Sequence, residues 1–210
     1  TGGADGVLQL PADRLPVATG GRVDVSGRGF AGGRQAHPAG FAPSGVQAST
    51  SDAGGSHGGP GVLVDGTGLV GSVYGSVSMP GQGGGGGSTN RDAANLFGGA
   101  GGGLVDLSLG ELLLDGEILA RGETRPTDSE GAGGAGGSIV VRAGRVSGGG
   151  AIDASGGDGK FVTTTRSVGA GGGGRVAFWA EELAGFDPRM EIAVHGGRRD
   201  PRPATGEAAG

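Results

Sequence analysis

The sequence contains no cysteine, which excludes disulfide bonds, thiolate catalysis and cysteine-ligated metal sites. A single lysine stands beside fifteen arginines without forming a basic tract, so nucleic acid is not an expected partner. No apolar run approaches the roughly 20 residues of a membrane-spanning helix, so we expect no membrane insertion. Because the first residue is threonine, we expect either a processed mature chain or a piece of a longer protein.

Large apolar residues are also scarce. Leu, Ile, Val and Phe together account for 42 of the 210 residues, whereas glycine alone accounts for 56. A globular core built from so few large side chains would be thin, although the net charge of -5 is too small to favour disorder by repulsion. A solenoid avoids this difficulty, because each repeat stacks small residues on the next repeat.

Three short elements recur along the chain, and each alternates apolar with polar residues as a half-buried strand does. The clearest ends on or near glycine, and its four copies are 22–27, 117–122, 151–156 and 191–196. A second element precedes it by about fifteen residues, at 6–10, 103–107, 138–142 and 175–179, with an irregular copy at 61–65. A weaker third element lies between them, at 15–17, 112–114, 146 and 183.

The repeat spacing predicts a parallel β-helix, because each repeat holds three short strands and a variable loop. Equivalent positions are 35 residues apart from Leu104 to Ile139 and 37 residues apart from Ile139 to Val176. We therefore predict a single all-β solenoid domain over 1–210, with a long loop insert at about 27–102, regular coils at about 103–197 and a C-terminal tail at 198–210. The one helical turn that we expect lies at 91–97.

Glycine is predicted to mark the corners between the strands of each coil, because tight corners need positive φ and glycine adopts it without a Cβ clash. One alternative is a flexible glycine-rich linker, which the fixed order of glycines and apolar strands disfavours. Another is a bundle of polyglycine or polyproline II-like helices. The strands at 104–109 and 138–142 interrupt the glycine runs and disfavour that bundle.

The pattern GGAGGSIVVRAGRVSGGGAIDASGGDG, followed by GAGGGGRVAFWA, resembles the glycine-rich β-helix repeats of large secreted or surface-anchored bacterial proteins. GGSHGGPG, followed by VYGSV and a GGGGGS run, resembles the entry segment of the same repeats. The resemblance covers about 20–197 and implies a right-handed parallel β-helix and an extracellular or cell-surface location. Such proteins are mostly uncharacterised and treated as adhesin-like or structural, and the resemblance implies no catalytic residues.

Motifs of catalysis and metal binding are weak in this chain. The segment Gly54–Gly58 fits G-x-S-x-G, but it lacks the preceding strand and following helix of a nucleophile elbow. His37, His57 and His195 lie too far apart to form an H-x-x-x-H or H-E-x-x-H pair. We therefore expect no catalytic residue and no cofactor, and the sequence leaves metal ligands unknown.

Calcium is an ion that β-helices often bind, but the G-G-x-G-x-D nonapeptide is absent. Asp24 and Asp153 occupy matching positions of coils that are not adjacent, so we do not expect them to share an ion. The loop carboxylates that could supply oxygen ligands are Asp128, Glu130 and Asp158. Ordinary solvated acids are the favoured interpretation of all of them.

A polysaccharide-degrading β-helix enzyme is a less favoured hypothesis. Such an enzyme would need carboxylates and a basic residue clustered on one face, and the candidates are Asp106, Asp115, Glu117 and Arg142. The spacing of these residues does not show that they converge.

The favoured hypothesis is a structural subunit of an extracellular or cell-surface fibre. The open edges of a β-helix expose unpaired backbone groups, and head-to-tail pairing that does not close gives a filament of identical subunits. The predicted contact residues are Val7, Leu8, Leu10, Ile192 and Val194.

The alternative is a glycan- or surface-binding adhesin module, in which the long insert recognises the ligand. Aromatic rings stack on sugar rings, and a histidine among glycines can bond to a loop carbonyl. The candidate recognition residues are His57, Tyr74 and Trp179, although Trp179 could instead cover the interior at the last coil.

Overall fold

The computed structural model describes residues 6–64, 66–90, 96–125, 130–163 and 166–199. Within them lie ten strands: β1 (Val7–Val17), β2 (Arg22–Asp24), β3 (Leu104–Leu114), β4 (Glu117–Leu119), β5 (Ser138–Ser147), β6 (Ala151–Asp153), β7 (Lys160–Thr163), β8 (Arg166–Val168), β9 (Arg175–Ala184) and β10 (Ile192–Ala193). A short helix, α1 (Pro188–Glu191), precedes β10. The helical turn expected at 91–97 lies almost wholly outside the described residues.

The long strands and the short strands form two separate parallel sheets. Sheet A has the order β1-β3-β5-β9, and sheet B has the order β10-β6-β4-β2. The remaining pair, β7 and β8, is antiparallel. The four regular copies of each of the two clearer sequence elements therefore pair with equivalent copies in neighbouring repeats, whereas the described residues of the irregular copy, 61–64, form no strand. The weak third element is the second half of the long strands.

The prediction of a right-handed parallel β-helix is wrong, because the strands divide between two sheets and the described residues do not close into a solenoid. Parallel sheets of this kind are usual in α/β proteins, where helices connect the strands. Here the long connections into β3, β5 and β9 are mainly extended, glycine-rich segments. The repeat period indicated how many residues separate equivalent strands along the chain, but it did not determine the conformation of the residues between them.

The strands of sheet A share a bend that keeps one face directed at the core. In β3 the buried side chains alternate up to Leu109 and resume at Leu112, so the alternation shifts by one residue at Gly110. The register of all three strand pairs skips the same row, which consists of Asp13, Gly110, Gly144 and Glu181. Without this shift, the second half of each strand would turn its apolar side chains to solvent.

The core lies between the two sheets and is built mainly from aliphatic side chains. Leu107 and Leu112 of β3, Ile139 of β5, Ile118 of β4 and Ile152 of β6 are all fully buried. At the β9 end of this core, Phe178 and Phe186 stack with their ring centroids 5.4 Å apart.

The glycine-rich connections pack beside the sheets as extended segments. We call this region the glycine lattice and define it as residues 29–33, 53–59, 84–89, 98–103, 131–137, 154–157 and 169–174. Along one segment, three successive residues bond to three different neighbouring segments, and the next three residues bond to the same segments in the same order. In 131–137, the N–H groups of 132 and 135 bond to 85–88, those of 133 and 136 to 169–172, and those of 134 and 137 to 120–123.

This threefold hydrogen bonding is typical of polyproline II-like helices, which have three residues per turn and no internal hydrogen bonds. The structure thus contains the glycine bundle that the interrupting strands had disfavoured. No glycine of the lattice has positive φ, so the expectation that these glycines form left-handed corners is also wrong. Corners of that kind do occur elsewhere, for example at Gly20 and Gly148.

Close approach of neighbouring backbones is what requires glycine in the lattice. A Cβ atom on Gly134 would lie 2.0 Å from the carbonyl oxygen of Ala100, and one on Gly136 would lie 1.8 Å from that of Ala154. Backbone atoms cannot yield as the end of a flexible side chain can. The segments can therefore reach hydrogen-bonding distance only where a side chain is missing.

Candidate functional site

A shallow open groove crosses the outer face of sheet A and is lined by residues of all four strands. One side of it is a row of side chains, because the register aligns Pro11 with Ser108, Ser108 with Arg142 and Arg142 with Trp179. The side chain of Trp179 is 43% exposed. The groove therefore offers an accessible aromatic surface at its β9 end.

Arg142 holds the tryptophan side of the groove in place. Its guanidinium carbon lies 5.4 Å from the centroid of the Trp179 ring, within the range of a cation–π contact. Its Nη1 donates a hydrogen bond to Oδ1 of Asp106 over 2.7 Å. Asp106 thus orients the guanidinium that supports the indole, which reduces the freedom the ring would lose on binding a ligand.

The floor of the groove includes the bend row of sheet A, where two glycines replace side chains. A Cβ atom on Gly110 would lie 2.7 Å from the carbonyl oxygen of Asp13, and one on Gly144 would lie 2.9 Å from that of Gly110. The backbone approach that bends the sheet therefore also leaves the middle of the groove free of side chains.

Most of the positive charge around the groove is neutralised within the sheet. Arg14 pairs with Glu111 over 2.9 Å, and Arg145 pairs with Glu182. These two pairs form the row next to the bend, and Arg142 is neutralised by Asp106 on the other side. Among the described residues, these three arginines beside the groove are therefore all paired.

Two of the predicted recognition residues are buried. His57 has no exposed surface, and Tyr74 is also buried, so neither side chain is available to an external ligand in this structure. Both lie where the glycine lattice meets sheet A, with their ring centroids 4.9 Å apart. Nε and Nη2 of Arg175, the first residue of β9, donate to the carbonyl oxygen of Tyr74. The pair therefore attaches the lattice to the sheet.

Burial controls the ionisation of both rings. Desolvation lowers the pKa of His57 to about 4, although the Gly136 carbonyl oxygen, 2.9 Å from Nδ1, favours the protonated ring. The neutral ring accordingly donates its Nδ1 proton to Gly136, and Nε2 is buried without a hydrogen-bond partner. Desolvation also raises the pKa of Tyr74, whose hydroxyl donates to the carbonyl oxygen of Gly83 over 2.8 Å.

A second polar cluster joins the insert to β8. Arg166 donates to both carboxylate oxygens of Asp52, over 2.8 and 2.9 Å, and also binds Glu130. Burial, the largest single influence, opposes the charge of Arg166, but the hydrogen bonds and negative charges of Asp52 and Glu130 together outweigh it and raise the pKa of the guanidinium. Glu130, one of the carboxylates considered for calcium, is thus an ion-pair partner.

The other carboxylates considered for calcium or catalysis are dispersed. Asp153 pairs with Arg121 over 2.6 Å, and Oδ1 of Asp24 accepts from the N–H of Ser26. Oδ1 of Asp158 accepts from the N–H of Arg198, and Asp128 lies outside the described residues. Across the described part of the chain, no three histidine or acidic side chains are grouped as a metal site would need.

The proposed catalytic candidates are separated as well. Asp106 pairs with Arg142 on sheet A, whereas Glu117 pairs with Arg22 over 2.7 Å on sheet B. Asp115 lies in the turn between β3 and β4. Asp115 and Glu117 line one shallow depression, whereas Asp106 and Arg142 lie together on sheet A, so the four candidates are divided between two places.

The five predicted assembly residues lie at opposite edges of the two sheets. Val7, Leu8 and Leu10 belong to β1, where Val7 is exposed and the two leucines pack against the core. Ile192 is half-buried in β10, and Val194 follows that strand with its side chain exposed.

The described residues contain no helix with the length and hydropathy of a membrane span.

Comparisons with protein-family models, with curated proteins and with solved structures find no match to this chain. The groove around Trp179 is consequently interpreted from its own geometry.

Sequence reasoning singled out Trp179 and, separately, Asp106 and Arg142 as members of a catalytic cluster, but it did not place these residues beside each other in one groove. When the copies at 103–107, 138–142 and 175–179 are aligned as neighbouring strands, Arg142 falls beside Trp179, so the repeat itself contained this signal. The bend row could have been found in the same way, because Gly110 and Gly144 occur at equivalent positions. The burial of His57 and Tyr74 had no such signal, since it depends on how the lattice packs.

Proposed function

We propose that this chain is a glycan-binding module and that its ligand site is the groove on the outer face of sheet A. The observation that carries the proposal is the accessible indole of Trp179, held by Arg142 beside a floor without side chains. Sugar rings present flat faces of C–H groups that pack on aromatic rings, and their hydroxyls take hydrogen bonds from planar polar groups.

The charge of the groove favours a neutral glycan. Each arginine beside it is already paired with a carboxylate of the neighbouring strand, namely Arg14 with Glu111, Arg142 with Asp106 and Arg145 with Glu182. An acidic polysaccharide would have to compete with these carboxylates for the same guanidinium groups. It would also approach a chain whose net charge is -5.

The direction of the groove favours a linear ligand laid across the strands. The bend row runs perpendicular to the strands from Asp13 of β1, through the two glycines, to Glu181 of β9, and β1 and β9 are separated by three strand spacings of about 4.8 Å each. That distance, about 14 Å, suits a few consecutive sugar units. One end of such a ligand would contact Trp179 and the other Pro11.

Binding is tested directly, because Trp179 is the only tryptophan of the chain and its fluorescence reports the groove alone. Neutral and acidic linear oligosaccharides are titrated into the native chain, and we expect saturable fluorescence changes with a neutral glycan. Because Trp179→Ala lacks the fluorophore, the native chain and this variant are compared by affinity electrophoresis. We expect Trp179→Ala to weaken binding at least about tenfold, which corresponds to about 1.4 kcal/mol.

The matched control is Val77→Ala, which removes another exposed apolar side chain, in the insert. Native affinity in this control with loss in Trp179→Ala supports the groove. Loss of affinity in Val77→Ala alone would transfer recognition to the insert. Failure of every neutral glycan to bind the native chain would contradict the proposal.

The fibre function and the relation to surface proteins of bacteria stay predictions, as does an extracellular location. The structure provides one observation against head-to-tail fibres: the free edge of β1 contains Pro11 and Pro16. Proline lacks an N–H and interrupts strand pairing on the side that it faces. Pairing of β9 with β1 of another copy would meet both prolines.

A further inference from the structure

The two edges of sheet A differ in how they present their backbone groups. At the two ends of β1, the carbonyl oxygen of Gly6 accepts from the first residue of β3, and that of Val17 accepts from the turn just after β3. Residues an even number of positions from Gly6 before the bend, or from Val17 after it, therefore face β3. Alternate residues face the open side, and these include Pro11 before the bend and Pro16 after it. The free edge of β1 is therefore obstructed at two positions, which is a common protection against strand addition.

The free edge of β9 carries no such obstruction. The N–H of Arg175 bonds to Gly137 on the inner side, so Ala177 and Trp179 also face β5. Val176, Phe178 and Ala180 therefore direct their N–H and C=O groups to the open side. Within the described residues, β9 pairs with β5 alone. An edge with free backbone groups at three alternate residues can pair with another strand.

Apolar side chains are exposed at the same end of the molecule. Leu183 of β9, Met190 of α1 and Val194 after β10 are each at least 43% exposed. Three of the eleven large apolar side chains exposed in the described residues thus lie at this end, in addition to Trp179 of the groove. Exposed apolar groups beside an open strand edge indicate a surface that is covered by a partner.

The spacing of the free positions on β9 is self-complementary. When two copies of β9 pair antiparallel about a twofold axis at Phe178, Val176 of each copy lies opposite Ala180 of the other. All three free residues of each strand then fall in hydrogen-bonded pairs, which exchange both N–H···O bonds. A twofold contact of this kind closes on itself and leaves the obstructed β1 edges outside.

Charge favours the same register. Arg175 and Glu181 lie three residues on either side of Phe178, so the antiparallel pairing places Arg175 of one copy opposite Glu181 of the other. Arg175 bonds to the Tyr74 carbonyl oxygen, which is neutral, and neither Arg175 nor Glu181 belongs to an ion pair within the described residues. Opposite charges across an antiparallel pair stabilise it.

We propose that the chain forms a closed homodimer through antiparallel pairing of β9 with β9, centred on Phe178. The partner is a second copy of this chain, and sheet A becomes an eight-stranded sheet across the interface. This assembly differs from a head-to-tail filament, because the β9 edges of both copies are used in one contact and the edges of sheet A that remain are the β1 edges, which the prolines obstruct.

The mass of the full chain in solution is measured by sedimentation velocity over a wide concentration range. We expect a monomer–dimer equilibrium that saturates at two copies. Ala180→Pro removes an outward N–H from β9 and should shift the population to monomer, whereas Gln9→Pro makes the matched change on the outer side of β1 and should leave the dimer intact. Circular dichroism verifies that both variants are folded.

The register is tested by disulfide cross-linking, since the native chain has no cysteine. In the proposed pairing, position 177 of one copy lies opposite position 179 of the other. A mixture of Ala177→Cys and Trp179→Cys should therefore form a cross-linked dimer on mild oxidation, and neither variant alone should do so as rapidly. A monomer at every concentration, a ladder of higher oligomers or equal cross-linking in the single variants would each overturn the proposal.

Discussion

The two sheets and the glycine lattice satisfy their backbone hydrogen bonds in different ways. In the sheets, each strand bonds to neighbours in one plane, and the side chains that stand out of that plane form an aliphatic core. In the lattice, each segment bonds to neighbours in three directions, so no direction remains for large side chains. In the sheets, the volume and shape of the side chain therefore decide which substitutions are tolerated. In the lattice, the close approach of neighbouring backbones decides it.

Breaking the lattice should have the largest effect on stability. In Gly134→Ala, a methyl group would stand 2.0 Å from the carbonyl oxygen of Ala100, so at least one segment must move and lose its hydrogen bonds. We expect a loss of about 4 kcal/mol or more in the free energy of unfolding, measured by denaturant titration.

Gly149→Ala is the matched control, because a Cβ atom there meets nothing within 4 Å. It should change stability by less than about 0.5 kcal/mol. Equal stability of the two variants would show that the lattice does not depend on close approach.

The second-largest effect on stability should come from acidification, which acts on the lattice through the buried titratable side chain of His57. Its pKa is about 4 in the folded chain and 6.5 for an unperturbed histidine, so the unfolded chain binds the proton more readily between these limits. The stabilisation by the neutral ring is complete above about pH 6.5 and decreases as the pH falls towards 4, by up to about 3 kcal/mol.

The measurement is the free energy of unfolding as a function of pH between 6.5 and 5, where few carboxylates titrate. The slope should be positive in the native chain and flatter in His57→Phe, whatever the absolute stability of that variant. An unchanged slope in His57→Phe would assign the pH dependence to other groups.

The smallest effect should come from the bend of sheet A. A Cβ atom on Gly144 would lie 2.9 Å from the carbonyl oxygen of Gly110, so the backbone must shift, but by less than the 2.0 Å approach at Gly134 requires. Gly144→Ala should cost about 1–2 kcal/mol and should also weaken glycan binding, because the methyl group stands beside the groove floor.

Denaturant titration and fluorescence titration of Gly144→Ala provide both values, again with Gly149→Ala as the control. A loss as large as that of Gly134→Ala would mean that the bend is as constrained as the lattice, and the contrast between the two regions would fail.

The strands could be predicted from the sequence because their signal is local. The alternation in Leu104–Val105–Asp106–Leu107 and its copies needs no knowledge of the rest of the chain, and the equal spacing of the copies aligned them as neighbours. The bend row also occurs at equivalent positions of each repeat. What the alternation could not show is that the first and third elements join into one bent strand.

The lattice and the site depended on contacts between distant residues. The bond from Gly136 to Gly172 and the ring pair of His57 and Tyr74 join residues that no local pattern relates. A glycine run is compatible with a corner, a linker or a bundle, because glycine alone restricts φ and ψ so little. Which of these forms is adopted was decided by the neighbours that the run meets.

By itself, the sequence determined where the strands lie, which copies are equivalent and that no thiol chemistry is available. Only the tertiary structure decided that the strands form two sheets rather than a closed coil and that the intervening glycines form a lattice. The same packing buried His57 and Tyr74 and left Trp179 in an open groove. The physical reason is that alternation is a property of neighbouring residues, whereas hydrogen bonding between glycine segments depends on every segment that surrounds them.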